Sequence, residues 1–250
     1  MITVKGVCKV FADHAVLDCV DATFIPGKTN LIIGQSGSGK TVLLKCIVGL
    51  HSVSRGEIYY DDRVFTTMNE KSRKQIRTEM GMVFQGGALF DSNTVEENVM
   101  FPLEMFTQMT FEERRERANF CLKRVNIENA GNLFPSEISG GMQKRVAIAR
   151  AIALNPRYLF CDEPNSGLDP LTSIVIDNLI KEITEEYNIT TIVNTHDMNS
   201  VMEIGDKVIF IYKGKKLWEG TGSEVFHSDT PELDDFVFAG RRMKQLKNSL

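Results

Sequence analysis

The sequence predicts an α/β fold, with a parallel-sheet core, an antiparallel β subdomain near the N-terminus and an α-helical subdomain inserted at about residues 90–155. Three observations predict it. Apolar strand-like runs alternate with helical patterns, as strand–helix–strand units do. One run, Leu31-Ile32-Ile33, passes into Gly34-Gln35-Ser36-Gly37-Ser38-Gly39-Lys40-Thr41 and leaves as a helix, the setting of a phosphate-binding loop. After Gln85, strand signals give way to amphipathic helices until Asn155-Pro156.

Taken in order, Ile2 to Val10 and Ala22 to Ile25 read as strands of a hairpin ended by Pro26-Gly27, with Val10-Phe11-Ala12-Asp13-His14 as a turn-like segment between them. The helix after the loop runs from Thr41 to Val48 and is closed by Gly49. Gly56 to Tyr60 adds a strand to the antiparallel part, and Met80 to Phe84 is a buried strand leading to Gln85. Thr110 and Glu113 form a capping box opening a helix with Ala118, Cys121, Leu122 and Val125 on one face. A second helix spans Gly141 to Leu154. Tyr158 to Cys161 resumes the strands, and Asp169-Pro170 opens a helix to about Tyr187. Thr190 to Asn194, a short helix from Asn199 to Ile204, and a hairpin around Lys213-Gly214 follow. We expect a single domain over 1–240 and a basic tail over 241–250.

Composition excludes little. Among 250 residues, 42% are hydrophobic and 25% charged, as in an ordinary globular chain. A net charge of −4 gives no electrostatic reason to expect a nucleic-acid partner. No apolar run approaches the ~20 residues that cross a bilayer, and Met1 to Gly6 lacks a signal-peptide pattern, so a cytosolic protein is expected. Five cysteines without C-x-x-C spacing read as reduced, mostly buried small residues.

The chemistry begins at the loop. Glycines 34, 37 and 39 let successive N–H groups face an anion, and the helix after them adds the positive end of its dipole. Lys40 then reaches phosphate, and the Thr41 hydroxyl helps hold Mg²⁺. Tyr158-Leu159-Phe160-Cys161-Asp162-Glu163 is an apolar strand ending in two carboxylates: Asp162 suits a metal held through water, and Glu163 is placed to polarise an attacking water. Ser139-Gly140-Gly141 at a helix start makes a second anion site.

These motifs, with Gln85 between them and Ser166-Gly167-Leu168-Asp169 and Asn194-Thr195-His196-Asp197 after them, make the chain resemble an ATP-binding-cassette (ABC) ATPase over essentially its whole length. That resemblance implies the phosphate-loop (RecA-like) NTPase fold, ATP and Mg²⁺ as cofactors, and a homodimer. It also implies roles. Phe11 stacks on adenine; residues 34–41 (Gly34, Gln35, Ser36, Gly37, Ser38, Gly39, Lys40 and Thr41) hold the phosphates; Thr41, Asp162 and Gln85 serve the metal; Glu163 is the catalytic base and His196 contacts the γ-phosphate. Ser139, Gly140 and Gly141 serve ATP bound by a second subunit, and Asp169 links the two sites. Ile138, Met142 and Asn165 depart from the common pattern, at side chains not needed for N–H donation to phosphate.

Within the family, Phe84-Gln85-Gly86-Gly87-Ala88-Leu89-Phe90-Asp91-Ser92, then Val95-Glu96-Glu97-Asn98-Val99, Pro102-Leu103, Ile138 to Met142 and Pro231 to Val237, are similar to the ATPase of Mce-type lipid transporters, including the maintenance-of-lipid-asymmetry (Mla) system. The implied partners are an integral membrane permease and an Mce-type substrate-binding protein, and the implied place is the cytoplasmic face of the inner membrane. An amino-acid or other small-solute importer, or an iron–sulfur assembly ATPase, is the alternative. The apolar residues near Phe90 and Phe101 to Phe106 read as a groove for a permease helix or as core.

Overall fold

A computed structural model describes residues 1–238. The basic tail Arg241 to Lys247 lies outside them.

Two strands open the chain, β1 (Ile2–Phe11) and β2 (His14–Phe24). They form the expected hairpin, but β2 begins at His14 rather than Ala22, leaving only Ala12 and Asp13 as its turn. Register shifts interrupt the pairing between Val4 and Val10, and Gly6 and Cys19 adopt left-handed backbone. Each irregularity disturbs the alternation that a pattern reading needs.

β3 (Thr29–Ile33) and α1 (Lys40–Ile47) flank the phosphate loop. Beyond them come β4 (Arg55–Tyr60), the two-residue β5 (Arg63–Val64), α2 (Glu70–Thr78) and β6 (Met80–Val83). α2 carries no sequence signal, because its composition is almost wholly polar and only Ile76 is buried; Asn69 caps it by accepting from the Ser72 amide. The helical part comprises α3 (Val95–Phe106), α4 (Phe111–Arg124) and α5 (Gly140–Ile152). Capping boxes start the first two, Thr94 with Glu97 and, as expected, Thr110 with Glu113. α3 was hidden by Pro102, which lies inside it.

The rest of the described chain supplies β7 (Tyr158–Asp162), α6 (Pro170–Glu186), β8 (Thr190–Thr195), α7 (Met198–Ile204), β9 (Lys207–Tyr212), β10 (Lys215–Gly220) and α8 (Pro231–Val237). One sheet is antiparallel, in the order β2-β1-β4-β5. The other runs β10-β9-β3-β8-β7-β6, parallel throughout except for β10 at its edge. Every residue of β3, β7 and β8 is buried, as a parallel sheet covered on both faces requires. One apolar core joins this sheet to α3–α7, and a second lies between the two sheets around α1. Parallel pairing brings the carboxyl ends of β3, β6, β7 and β8 to one edge, where α/β folds build their sites.

Candidate active site

Both ends of the phosphate loop are held by neighbours that leave no room for a side chain. At Gly34, where φ is +149°, a Cβ would stand 2.2 Å from the Ile211 carbonyl oxygen of β9. At Gly39, φ +110°, it would meet Leu17 of β2 at 2.9 Å. Between them Gln35, Ser36 and Gly37 are exposed, while the Ser38 amide donates to the Gln35 carbonyl at 3.1 Å. Lys40 opens α1 from a buried position, its Nζ donating to the carbonyls of Gly34 (2.8 Å) and Gln35 (3.1 Å). Burial lowers the Lys40 pKa, and the carboxylates of Glu163 and Asp162 oppose that shift.

Thr41 follows, donating its hydroxyl to Asp162 Oδ1 at 3.2 Å. The same oxygen accepts from Asn194 Nδ2 at 3.0 Å, so β8 positions the carboxylate that ends β7. A hydroxyl and a carboxylate side by side are hard oxygen donors and fit Mg²⁺. Among the described residues no cluster of three or more His, Cys, Asp or Glu could hold a metal.

Glu163 stands next in the chain with φ +48°, a left-handed backbone unusual for a residue with a side chain. Such strain costs on the order of 1–3 kcal/mol and concentrates at functional positions. Its amide donates to the Asn194 carbonyl at 3.0 Å. Its carboxylate accepts from Gln85 Nε2 at 2.9 Å and lies 3.2 Å from His196 Nδ1. Gln85 also reaches Ser166 Oγ at 3.4 Å, and Lys144 of α5 donates its ammonium to the Gln85 carbonyl. Lys144 is buried, and that burial lowers its pKa against the pull of Glu163.

The structure therefore brings Lys40, Thr41, Gln85, Asp162, Glu163 and His196 together. Phe11 and the serine-glycine turn stand apart. Phe11 is 40% exposed at the tip of the hairpin, its ring edge-on to His51 at 5.3 Å and 4.6 Å from Lys9 Nζ. Ser139 caps α5 by accepting from the Met142 amide at 3.2 Å. Ser139, Gly140 and Gly141 line a cavity of about 550 Å³ with Gly167, Asp169 and Thr172. Sequence reasoning missed Lys144 and the positioning work of Asn194; their signals were a lysine amid the apolar face of α5 and an amide inside an apolar strand.

A different groove, about 440 Å³, opens where the helical part meets β6, lined by Phe84, Phe90, Phe101, Pro102 and Phe106. It matches the apolar segment singled out in the sequence. Phe101 and Phe90 pack ring to ring at 4.7 Å while both remain exposed.

Residues 17–166 match the model of the family described as ABC transporter. The chain belongs to that family. Its cassette binds and hydrolyses ATP, as the family's ATP-binding subunits do. It is 40% identical over 243 residues to the methionine import ATP-binding protein MetN 2 of Bacillus cereus, spanning 95% of this chain and 71% of that protein. Identity to the intermembrane phospholipid transport system ATP-binding protein MlaF of Haemophilus influenzae is 37% over 237 residues, 95% of this chain and 90% of the other. Among solved structures, the dimeric ATP-binding cassette MJ0796 in a post-hydrolysis state with ADP and phosphate superposes at a TM-score of 0.81, with 35% identity over 88% of this chain and 98% of that one. cbiO1 of Clostridium perfringens, part of the ABC transporter complex cbiONQ, gives 0.85 at 28% identity, covering 100% and 98%. The ABC ATPase fold and the ABC transporter ATPase assignment both stand on these likenesses. The lipid assignment is not decided by them, because the methionine import protein MetN 2 matches at 40% and MlaF at 37%. No helix among the described residues is long and apolar enough to cross a membrane.

Proposed function

We propose that this cassette works as a homodimer that closes around ATP and drives a separate membrane permease. The observation that carries this reading is the division of its motifs: the phosphate loop meets Asp162, Glu163, Gln85 and His196 within one chain, while Ser139 to Gly141 face a different cavity beside Asp169. A second copy would bring its serine-glycine turn to the phosphate loop of the first, making two composite sites. The dimeric form of the similar cassette MJ0796 supports this arrangement.

In each site the loop amides and Lys40 bind the phosphates, and Phe11 stacks on the adenine. Thr41 and Asp162, with Gln85 nearby, would hold Mg²⁺, which supplies charge neutralisation at the phosphates. Glu163 takes the proton from the attacking water. His196, 3.2 Å from Glu163, contacts the γ-phosphate and fixes the carboxylate's orientation. Gln85, donating to Glu163, orients the same water. With Glu163→Gln, ATP still binds but the proton has no acceptor, so an ATP-bound dimer should accumulate on gel filtration. A variant that stays monomeric with ATP and Mg²⁺ would overturn the composite site.

For cargo, we propose lipid, with an Mce-type protein in the complex at the cytoplasmic face of the inner membrane. The Phe84 to Ser92 and Ile138 to Met142 stretches and the 37% identity to MlaF support it. The apolar groove at Phe90 and Phe101 supports a permease helix as its occupant. Methionine or another amino acid is the second reading, favoured by 40% identity to MetN 2. Purifying the complex from detergent and measuring its ATPase in proteoliposomes separates them. Stimulation by phospholipid with bound phospholipid in the eluate supports the first reading, and stimulation by methionine the second.

A further inference from the structure

Asp177 lies on α6, outside every motif that names the family, and is only 2% exposed. A carboxylate so placed is costly unless its oxygens are hydrogen-bonded. Both are. Oδ1 accepts from Asn165 Nδ2 at 2.8 Å and Oδ2 from Ser200 Oγ at 2.8 Å, while Asn165 Nδ2 is also 3.2 Å from Ser200 Oγ. The three side chains come from three elements. Asn165 stands two residues after Glu163, in the loop that runs on to Asp169. Ser200 is on α7, four residues after His196.

We infer that Asp177 is a positioning residue for ATP hydrolysis, clamping the loop that carries Glu163 and the helix that follows His196 onto one rigid support. α6 can serve as that support because it is anchored at both ends. Asp169 caps its start through the amides of Leu171 and Thr172, and Thr184 near its end bonds Thr191 of β8 at 2.6 Å. Glu163 needs an external hold, since its left-handed backbone is not one its own side chain favours. Within the loop the Ser166 amide bonds the Glu163 carbonyl, closing a turn that contains Asn165, so a pull on Asn165 reaches Glu163 through that turn. Asp177, Asn165, Glu163 and His196 line the same cavity of about 560 Å³. A catalytic group displaced by about 1 Å loses on the order of 10²-fold in rate, so a remote clamp of this kind is legible in kcat.

The inference rests on the proposed roles of Glu163 and His196, and Glu163→Gln is the control for that reading. The experiment compares Asp177→Leu and Asp177→Asn in the full chain, with kcat per folded molecule and ATP affinity measured separately. Leucine keeps the branching at Cγ, adds bulk and removes both acceptors. Asparagine keeps one acceptor and offers its NH₂ to Ser200 Oγ, whose hydroxyl can turn to accept. Expected are a roughly tenfold or greater fall in kcat for Asp177→Leu with ATP affinity within about twofold of the parent, and recovery to within about threefold for Asp177→Asn. An unchanged kcat for Asp177→Leu, or a loss confined to ATP affinity, would overturn the clamp. Should Asp177→Leu fail to fold, Asn165→Ala, Ser200→Ala and their combination decide: coupled losses in kcat support the clamp, and additive or absent ones refute it. If Glu163→Gln hydrolysed ATP at the parent rate, the reading of the site itself would fail, whatever the clamp variants do.

Discussion

The two glycine-containing turns proposed to bind phosphate are built alike and finished differently. The phosphate loop is gripped by its own fold: Ile211 and Leu17 press on its glycines, Lys40 bonds its carbonyls, and Thr41 meets Asp162. The serine-glycine turn has its helix end capped by Ser139, yet Ser139 and Gly140 are exposed and Gly141 is half-buried. One turn is completed by residues from distant parts of the same chain. The other presents amides outward with nothing charged opposite them in its cavity except Asp169 and Arg145. An anion site left open at the surface is a surface waiting for a charge, and in the proposed dimer that charge arrives on the other subunit's nucleotide.

Removing each half in turn should break this comparison most sharply. Lys40→Ala should abolish hydrolysis and weaken ATP binding by about 100-fold or more, since a charge-assisted contact in a buried setting is lost. Fluorescent-nucleotide titration of the isolated cassette reads it. Ser139→Glu should behave otherwise: the monomer keeps its ATP affinity while hydrolysis falls by a similar factor, because the added carboxylate repels phosphate across the interface. Mixing the two inactive variants should then restore part of the activity, since one of the two composite sites in a mixed dimer is intact. Mixtures as dead as their components would refute the division of labour.

Smaller effects sharpen the first half. Gly34→Ala should destabilise the fold by about 2–4 kcal/mol in denaturant melts, as its methyl would strike the Ile211 carbonyl. Gly37→Ala, at φ +77° but with open space around a Cβ, should cost only about 1 kcal/mol. Equal costs would show that torsion, rather than the grip of β9, sets the loop.

The smallest effect is one of pH. Burial raises the Asp177 carboxyl to about 6, above the usual carboxylate value, although the bonds from Ser200 and Asn165 hold it down. A folded-state pKa above the unfolded one means that the folded chain binds this proton more tightly. Asp177 therefore costs stability above pH 6, and that cost lessens as pH falls from 6 toward 4. Thermal melts of the parent against Asp177→Asn should show the difference shifting in the parent's favour across that window, and a flat difference would rule the shift out.

Much of this was legible beforehand for a physical reason. Glycine spacing, a strand ending in two acids and caps such as Thr110 and Asp169 are local signals, and the structure follows them within a residue or two. Signals failed where structure is made at long range. Bulges erase the period of β2 before Ala22, and α2, a polar helix that buries only Ile76, has no apolar stripe to show. Pro102 concealed α3. In the site, a lysine on the apolar face of α5 marks Lys144 as unusual, but the roles of Lys144 and Asp177 depend on partners, Gln85 and Ser200, that lie 59 and 23 positions away.

The place of β3 at the centre of the parallel sheet has a consequence for how the molecule is made. Asn30 bonds Thr191 across 161 positions, and the Thr29 amide meets Asp206 across 177. During translation the phosphate loop leaves the ribosome early, but the strands that flank β3 are synthesised in the last quarter of the chain. Loops this long slow folding and leave apolar strands exposed while they wait. The nucleotide-binding end of the protein is thus written first and assembled last, and a nascent chain stalled before β8 should be unable to retain ATP.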